Sequence, residues 1–277
     1  MWCAKMKNNF KRVIVITGGT SGIGKYLMSA FSNDEVICLA RSVVEDEHNI
    51  KVDVSDFLDV QRAFEIIKDR YGRVDILVNN AGYAVNGATE LLTDEEVEKQ
   101  MNVNFLGVFR CIKYALPLMQ DGGKIVNISS ACAIFPLPFR GIYCASKSAV
   151  SMLSHSLREE LRPYNISVTA VCPGDVKTDF SKNRVKVVRT SERYGTRIER
   201  AFNDIDEREN KRMSVEYAGK VIAKIIAKKK YKPFYIVGKK YKFLYALYKI
   251  FPLSTILSFT GKMFAKEKKK GRKEKVE

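Results

Sequence analysis

None of the six cysteines, at positions 3, 38, 111, 132, 144 and 172, stands in C-x-x-C spacing with another. That absence leaves the thiols as small, reduced core residues, and no metal is expected. Burial is the expected reason for Cys132 and Cys144 as well, although both fall near the candidate site. Long apolar runs are also missing. Val13-Ile14-Val15-Ile16 is too short for the apolar region of a signal peptide and runs into glycines rather than a cleavage site, so a cytoplasmic chain is expected. Tyr241 to Ala265 mixes aromatic and aliphatic residues, but Lys242, Lys249, Pro252 and Lys262 interrupt it too often for a membrane span. Acidic residues are scarce at one end. Residues 220–277 hold 18 of the 48 Lys and Arg but 3 of the 31 Asp and Glu, so +15 of the net charge of +17 lies there. Such asymmetry points to an anionic surface as the partner of this end. Aromatic anchors and the basic run from Lys266 to Lys275 suit peripheral membrane contact, with packing on the domain as the alternative; nucleic acid is not the expected partner.

What is present fits one large α/β domain: 277 residues with 46% hydrophobic content. The expected organisation is a tail over 1–10, a domain over 11–238 that includes a polar substrate lid at about 177–214, and a basic amphipathic extension over 239–277. Strand-like and helix-like segments alternate, which argues for a parallel sheet covered on both faces.

Arg12 to Thr17 reads as a buried strand and feeds into Gly18-Gly19-Thr20-Ser21-Gly22-Ile23-Gly24, with helical composition from Lys25 to Phe31. Strand, glycine turn and helix N-terminus together cradle a phosphate, because glycine lets the backbone approach it and the helix offers free N–H groups. Glu35 to Ala40 is a second strand and ends at Arg41-Ser42. A carboxylate there would bind the ribose hydroxyls of NAD, whereas an arginine pairs with the 2′-phosphate of NADP. NADP(H) is therefore favoured and NAD(H) possible. The stretch from Arg41 to Asp53 is too short for a crossover helix; Ile50 to Val52 is a short strand, and Asp56 starts a helix that closes at Tyr71-Gly72.

Asp75 to Asn79 forms a fourth strand that runs into the small-residue turn Asn80-Ala81-Gly82. Asp94 to Met119 reads as helical, but Asn102 and Asn104 are locally unfavourable inside it and mark a candidate site. The strand from Lys124 to Ile128 delivers Ser129-Ser130. After it, the apolar connection Ile134 to Phe139 either lines a substrate pocket or packs on the body. In a helix from about Tyr143, the i, i+4 spacing puts the Tyr143 hydroxyl and the Lys147 ammonium on one face, where the cation would draw the phenol toward working pH. Ser167 to Cys172 is the sixth strand and ends at Pro173-Gly174. Ser214 caps a helix to about Ala227, and Phe234 to Val237 is the last strand.

Thr17-Gly18, Gly22-Ile23-Gly24, Asp53, Asn79-Asn80-Ala81-Gly82, Asn104, Ser130, Tyr143-x-x-x-Lys147 and Pro173-Gly174, in this order, resemble the short-chain dehydrogenase/reductase family over roughly 11–238. The resemblance implies a Rossmann-type doubly wound parallel sheet of about seven strands with helices on both faces, followed here by the C-terminal basic and aromatic extension. It implies that Tyr143 is the catalytic acid/base, that Lys147 lowers its pKa and binds the nicotinamide ribose, that Ser130 polarises the carbonyl and that Asn104 holds a relay water. Gly18, Thr20, Ser21, Gly22, Ile23 and Gly24 would lie at the pyrophosphate, Arg41 and Ser42 at the adenosine ribose, and Asp53 and Val54 at the adenine. Asn80, Ala81 and Gly82 would lie at the ribose, and Pro173, Gly174, Val176 and Thr178 near the carboxamide. Ser21 departs from many NADP-dependent members, which carry a basic residue there. The expected activity is NADP(H)-dependent hydride transfer between nicotinamide and a secondary alcohol or ketone of an apolar, steroid- or lipid-like molecule. A β-ketoacyl thioester reductase, or a non-catalytic cofactor-sensing or nucleic-acid-binding protein of the same fold, is the alternative. A homodimer or homotetramer is expected from the family's habit of pairing the helices at Asn104 to Met119 and Tyr143 to Leu161.

Overall fold

The computed structural model describes residues 11–178, 180, 184–189, 191–207 and 212–264. The 1–10 tail, parts of the expected lid and the basic run after 264 lie outside the described residues. Seven parallel strands form the main sheet: β1 (Val13–Thr17), β2 (Glu35–Ala40), β3 (Asn49–Lys51), β4 (Ile76–Asn79), β6 (Lys124–Ile128), β7 (Ser167–Pro173) and β9 (Phe234–Val237). Their spatial order is β3-β2-β1-β4-β6-β7-β9, and β5 (Val85–Asn86) pairs separately with β8 (Val185–Lys186). This is the doubly wound Rossmann-type arrangement. The order reverses between β1 and β4, which opens a crevice beyond the carboxyl ends of the strands.

Period-two alternation along β1 divides its side chains between two cores. Val13 and Val15 join Ile37 and Leu39 under helices α2 (Phe57–Tyr71), α4 (Gly107–Ala115) and α5 (Gly141–Glu160), packing on Phe64, Ile112 and Val150. Ile14 and Ile16 face the other way, toward α1 (Gly22–Ala30) and α7 (Val215–Ile226), through Leu27 and Ile222. Burial on both faces is why these strands read as unbroken apolar runs rather than alternating ones. Helix ends follow local chemistry. The Asp56 carboxylate accepts from the amides of Leu58 (2.8 Å) and Asp59 (3.0 Å) at the start of α2, and Gly72 closes it in the left-handed conformation at φ 68°. Thr93 and Glu96 form a capping box ahead of α3 (Asp94–Met101).

Between α3 and α4 the chain is wound as a π-helix over Asn102–Leu106, where sequence alone marked two misplaced amides. The extra backbone room turns Asn104 inward, fully buried. The expected lid is partly a packed body. Helix α6 (Arg197–Glu207) buries Ile198 and Phe202 against Ala88, with Phe139 and Tyr194 around them. The Ile198, Ala201, Phe202 spacing is that of one helical face, a signal masked by the charges around it.

The apolar connection over 134–139 settles on the body. Phe135 meets Tyr248 edge-on at 5.8 Å and Phe139 meets Tyr194 at 5.9 Å. Tyr248 ends α8 (Lys239–Tyr248), so the first part of the C-terminal extension docks on the domain. The Tyr241 ring lies where a Gly174 side chain would stand, and its hydroxyl donates to Asp175 at 2.7 Å. Helix α9 (Leu253–Phe264) instead leaves Leu253, Leu257 and Phe259 exposed. No helix among the described residues is long and apolar enough to cross a membrane.

Candidate active site

The crevice between β1 and β4 opens into a cleft of about 790 Å³ that runs from Arg41 to Tyr143. At one end the Gly18–Gly24 turn is held by its neighbours. The Gly18 amide donates to the Leu39 carbonyl (2.8 Å), the Thr17 hydroxyl accepts from the amides of Asn80 and Ala81 (both 2.9 Å), and the Asn80 side-chain amide donates to the carbonyls of Thr17 and Gly18 (both 3.1 Å). Gly18 takes φ +68°, and a Cβ on Gly24 would lie 2.2 Å from the Gly18 carbonyl oxygen, so side chains are excluded and the backbone stays open. Arg41 reaches Asp53 at 3.7 Å and remains mostly exposed, and the Ser42 hydroxyl faces Thr20 at 3.4 Å. Burial pushes the Asp53 carboxyl up, but hydrogen bonds from the Ser55 hydroxyl (2.6 Å) and amide (2.9 Å), with Arg41 and Lys99 nearby, hold it below the usual range.

At the other end, buried polar contacts fix α5 to the sheet. Asn79 on β4 donates to Asn127 on β6 (2.8 Å), Asn127 to Ser154 (2.8 Å), and the Ser129 hydroxyl to the Lys147 carbonyl (2.8 Å). Ser129 is thereby used structurally and Ser130 is the serine that faces the phenol. The Asn104 side-chain oxygen accepts from the Tyr83 amide (2.7 Å), and its nitrogen donates to the Tyr83 carbonyl (2.9 Å) and to Ser146 (3.0 Å). Ser146 in turn donates to the Tyr143 carbonyl at 2.8 Å, so the π-turn braces the helix that carries the phenol.

The electrostatics differ from the sequence expectation. Burial raises the Tyr143 phenol, the field of Cys132 raises it further, and the opposing groups are Ser130, Arg184 and Arg140. Lys147 donates to the Ile128 carbonyl at 2.9 Å, and burial lowers its own pKa to about 8. The i, i+4 rule placed the two groups on one helix face, but the strand carbonyl is the ammonium's nearest partner. Cys132 lines the cleft with Cys144 behind it; the two thiols act on one another, which draws Cys132 down and pushes Cys144 up.

Residues 12–188 match a family model described as short chain dehydrogenase. The chain belongs to the short-chain dehydrogenase/reductase family. This dehydrogenase is 38% identical over 227 residues to a 3-ketodihydrosphingosine reductase of Bacteroides thetaiotaomicron, covering 79% of this chain and 84% of that one. Among solved structures, a short-chain dehydrogenase from Streptomyces avermitilis superposes with a TM-score of 0.76 at 26% identity, over 91% of this chain and 97% of its own. The structure described as ElxO with NADP bound gives a TM-score of 0.68 at 25% identity, over 84% and 99%. The chain is thus an oxidoreductase that acts between CH–OH and C=O with a nicotinamide cofactor, and the glycine cradle at the switch point fits such a dinucleotide.

Of the residues singled out by sequence, Gly18, Thr20, Ser21, Gly22, Ile23, Arg41, Ser42, Asp53, Val54, Asn80, Ala81, Gly82, Ser130, Tyr143, Lys147, Pro173, Gly174, Val176 and Thr178 all line this cleft. Gly24 and Asn104 do not; each stands one layer behind it, Gly24 under the turn and Asn104 under α5. Sequence reasoning missed Tyr83, Lys99, Arg140, Asp175, Phe180 and Arg184, which also line the cleft. Arg140, three residues before Tyr143, could have been found from its place at the start of α5. Arg184 carried no local signal.

Proposed function

We propose that this dehydrogenase uses NADP(H) and acts on a secondary alcohol or ketone of an apolar, steroid- or lipid-like molecule. The observation that carries the reading is one cleft with Ser130, Tyr143 and Lys147 at one end and Arg41, loosely held by Asp53, at the other. NADP(H), when bound, supplies or takes up the hydride. Arg41 would pair with the 2′-phosphate, and the Gly18–Gly24 backbone would face the pyrophosphate. Lys147, on the Ile128 carbonyl, would reach the nicotinamide ribose. Ser130 would donate to the substrate oxygen and Tyr143 would hold or release the proton there, with Phe180, 6.1 Å from the Tyr143 ring centre, as an apolar wall. The likeness to a 3-ketodihydrosphingosine reductase supports a lipid-like substrate, and ElxO with NADP bound supports the cofactor.

Exposed Leu253, Leu257 and Phe259 on α9, with Lys249 and Lys262 beside them, support docking of this end on an anionic membrane surface. Exposed Phe109 on α4 and Met152 on α5 support pairing of those helices in a dimer or tetramer. The test is binding of NADPH and NADH to the purified protein beside Arg41→Asp. NADPH should bind at least about tenfold tighter than NADH, with the preference lost in the variant, as expected for one charge-assisted pair. Equal affinities in the wild type would overturn the cofactor assignment.

A further inference from the structure

The charges of the cleft do not balance at its carbonyl end. Among the described residues, two acidic side chains line the cleft. Asp53 lies at the adenosine end beside Arg41, and Asp175 accepts from the Tyr241 hydroxyl at 2.7 Å. Arg140 and Arg184 also line it, and both act on the Tyr143 phenol. Arg140 is 7% exposed; its backbone bonds to Leu137 and Cys144, but its guanidinium has no hydrogen-bond or ion-pair partner among the described residues. The Arg184 Nε reaches the side-chain oxygen of Asn86 at 3.2 Å when the buried Asn86 amide is turned to donate to the Val85 carbonyl. Its two terminal amino groups have no acceptor among the described residues. Burial, and after it the neighbouring Arg140, lowers the Arg184 pKa to about 10; Arg212 adds a further like charge, and the Tyr143 phenol and Asp175 oppose them only in part.

Two neighbouring cations drawn out of water with no described carboxylate paired directly to either are unfavourable, and a shared anion relieves both the desolvation and the repulsion. A cationic head group would add a third like charge. Guanidinium forks match the paired oxygens of a phosphate or carboxylate. We infer that the substrate carries an anionic group, a phosphate or carboxylate, which Arg140 and Arg184 grip while the carbonyl meets Tyr143 and the apolar body lies along Phe180. This rests on the oxidoreductase reading and narrows its substrate class to apolar carbonyl compounds with an acidic head.

The test is calorimetric binding of decyl phosphate, decanoate, decanol and inorganic phosphate to the full chain saturated with NADPH. Decyl phosphate or decanoate should bind at least about tenfold tighter than decanol, as a charge-assisted contact requires. Inorganic phosphate as tight as decyl phosphate would instead assign the pair to a free anion and overturn the substrate claim. Arg140→Gln and Arg184→Gln should each remove most of the preference, and the double variant should bring the charged and neutral probes level. Retained NADPH binding reports folding; if a Gln variant loses it, Arg140→Lys, which keeps the charge but not the fork, should give a partial loss. Parity in the wild type, or a preference that survives in the double variant and so belongs to the basic exterior, would overturn the proposal. The two readings fail differently: an absent anion site leaves NADPH-dependent ketone turnover intact, whereas a wrong reaction class abolishes turnover and leaves decyl phosphate binding in place.

Discussion

At the adenosine end of the cleft the surface offered to a ligand is mostly backbone, the Gly18–Gly24 turn supplied by one stretch of chain and held by Thr17 and Asn80. At the carbonyl end it is side chains from distant segments: Ser130 after β6, Arg140 just ahead of α5 and Tyr143 on it, Asp175 after β7 and Arg184 before β8. The first end tolerates no added atom but depends little on titration. The second has room for variation, and its chemistry depends on how burial and neighbouring charges set proton affinities.

The largest expected effect lies at the carbonyl end. Tyr143→Phe should lower kcat on the order of a thousandfold by removing the proton donor while leaving NADPH affinity within about twofold. A matching loss of NADPH affinity, read by fluorescence titration, would erase the distinction between the two ends. Next comes Lys147. Its pKa falls from 10.5 to about 8 on folding, so between those values the unfolded chain binds more protons than the folded one. Stability should therefore rise with pH across that window, by up to about 3 kcal/mol, and the penalty should be present in full below it. Denaturant melts of wild type against Lys147→Met should show that slope in the wild type alone; parallel pH profiles would mean that the ammonium is hydrated when folded. The third effect belongs to the adenosine end. Gly24→Ala forces a Cβ onto the Gly18 carbonyl and should cost about 2 kcal/mol together with NADPH binding, whereas Gly72→Ala, at positive φ but in open space, should cost about 1 kcal/mol with binding unchanged. Equal effects on binding would mean that strain, not closeness to the cradle, governs that end.

Most of the frame was legible from local pattern. The Glu35–Ala40 strand, the Asp56 and Gly72 caps of α2, the Ser214 cap of α7 and the Phe234–Val237 strand appear where composition put them, because caps and strand periodicity act over a few residues. Asn102 and Asn104 announced an irregularity whose form, a π-turn bracing α5 through Ser146, only packing could choose. The packed helix α6 was hidden because Ile198 and Phe202 sit among charges that outnumber them, and burial against Ala88 decides the segment.

The sequence by itself determined the strands, the glycine cradle and the shared helix face of Tyr143 and Lys147, because covalent spacing and helix or strand period settle those. Tertiary structure alone decided that Lys147 turns to the Ile128 carbonyl, that burial lifts the Tyr143 phenol, and that Arg140 and Arg184 come together in one cleft. The physical reason is that proton affinity and charge balance depend on distance through space and on exclusion of water, and neither is written in the order of residues.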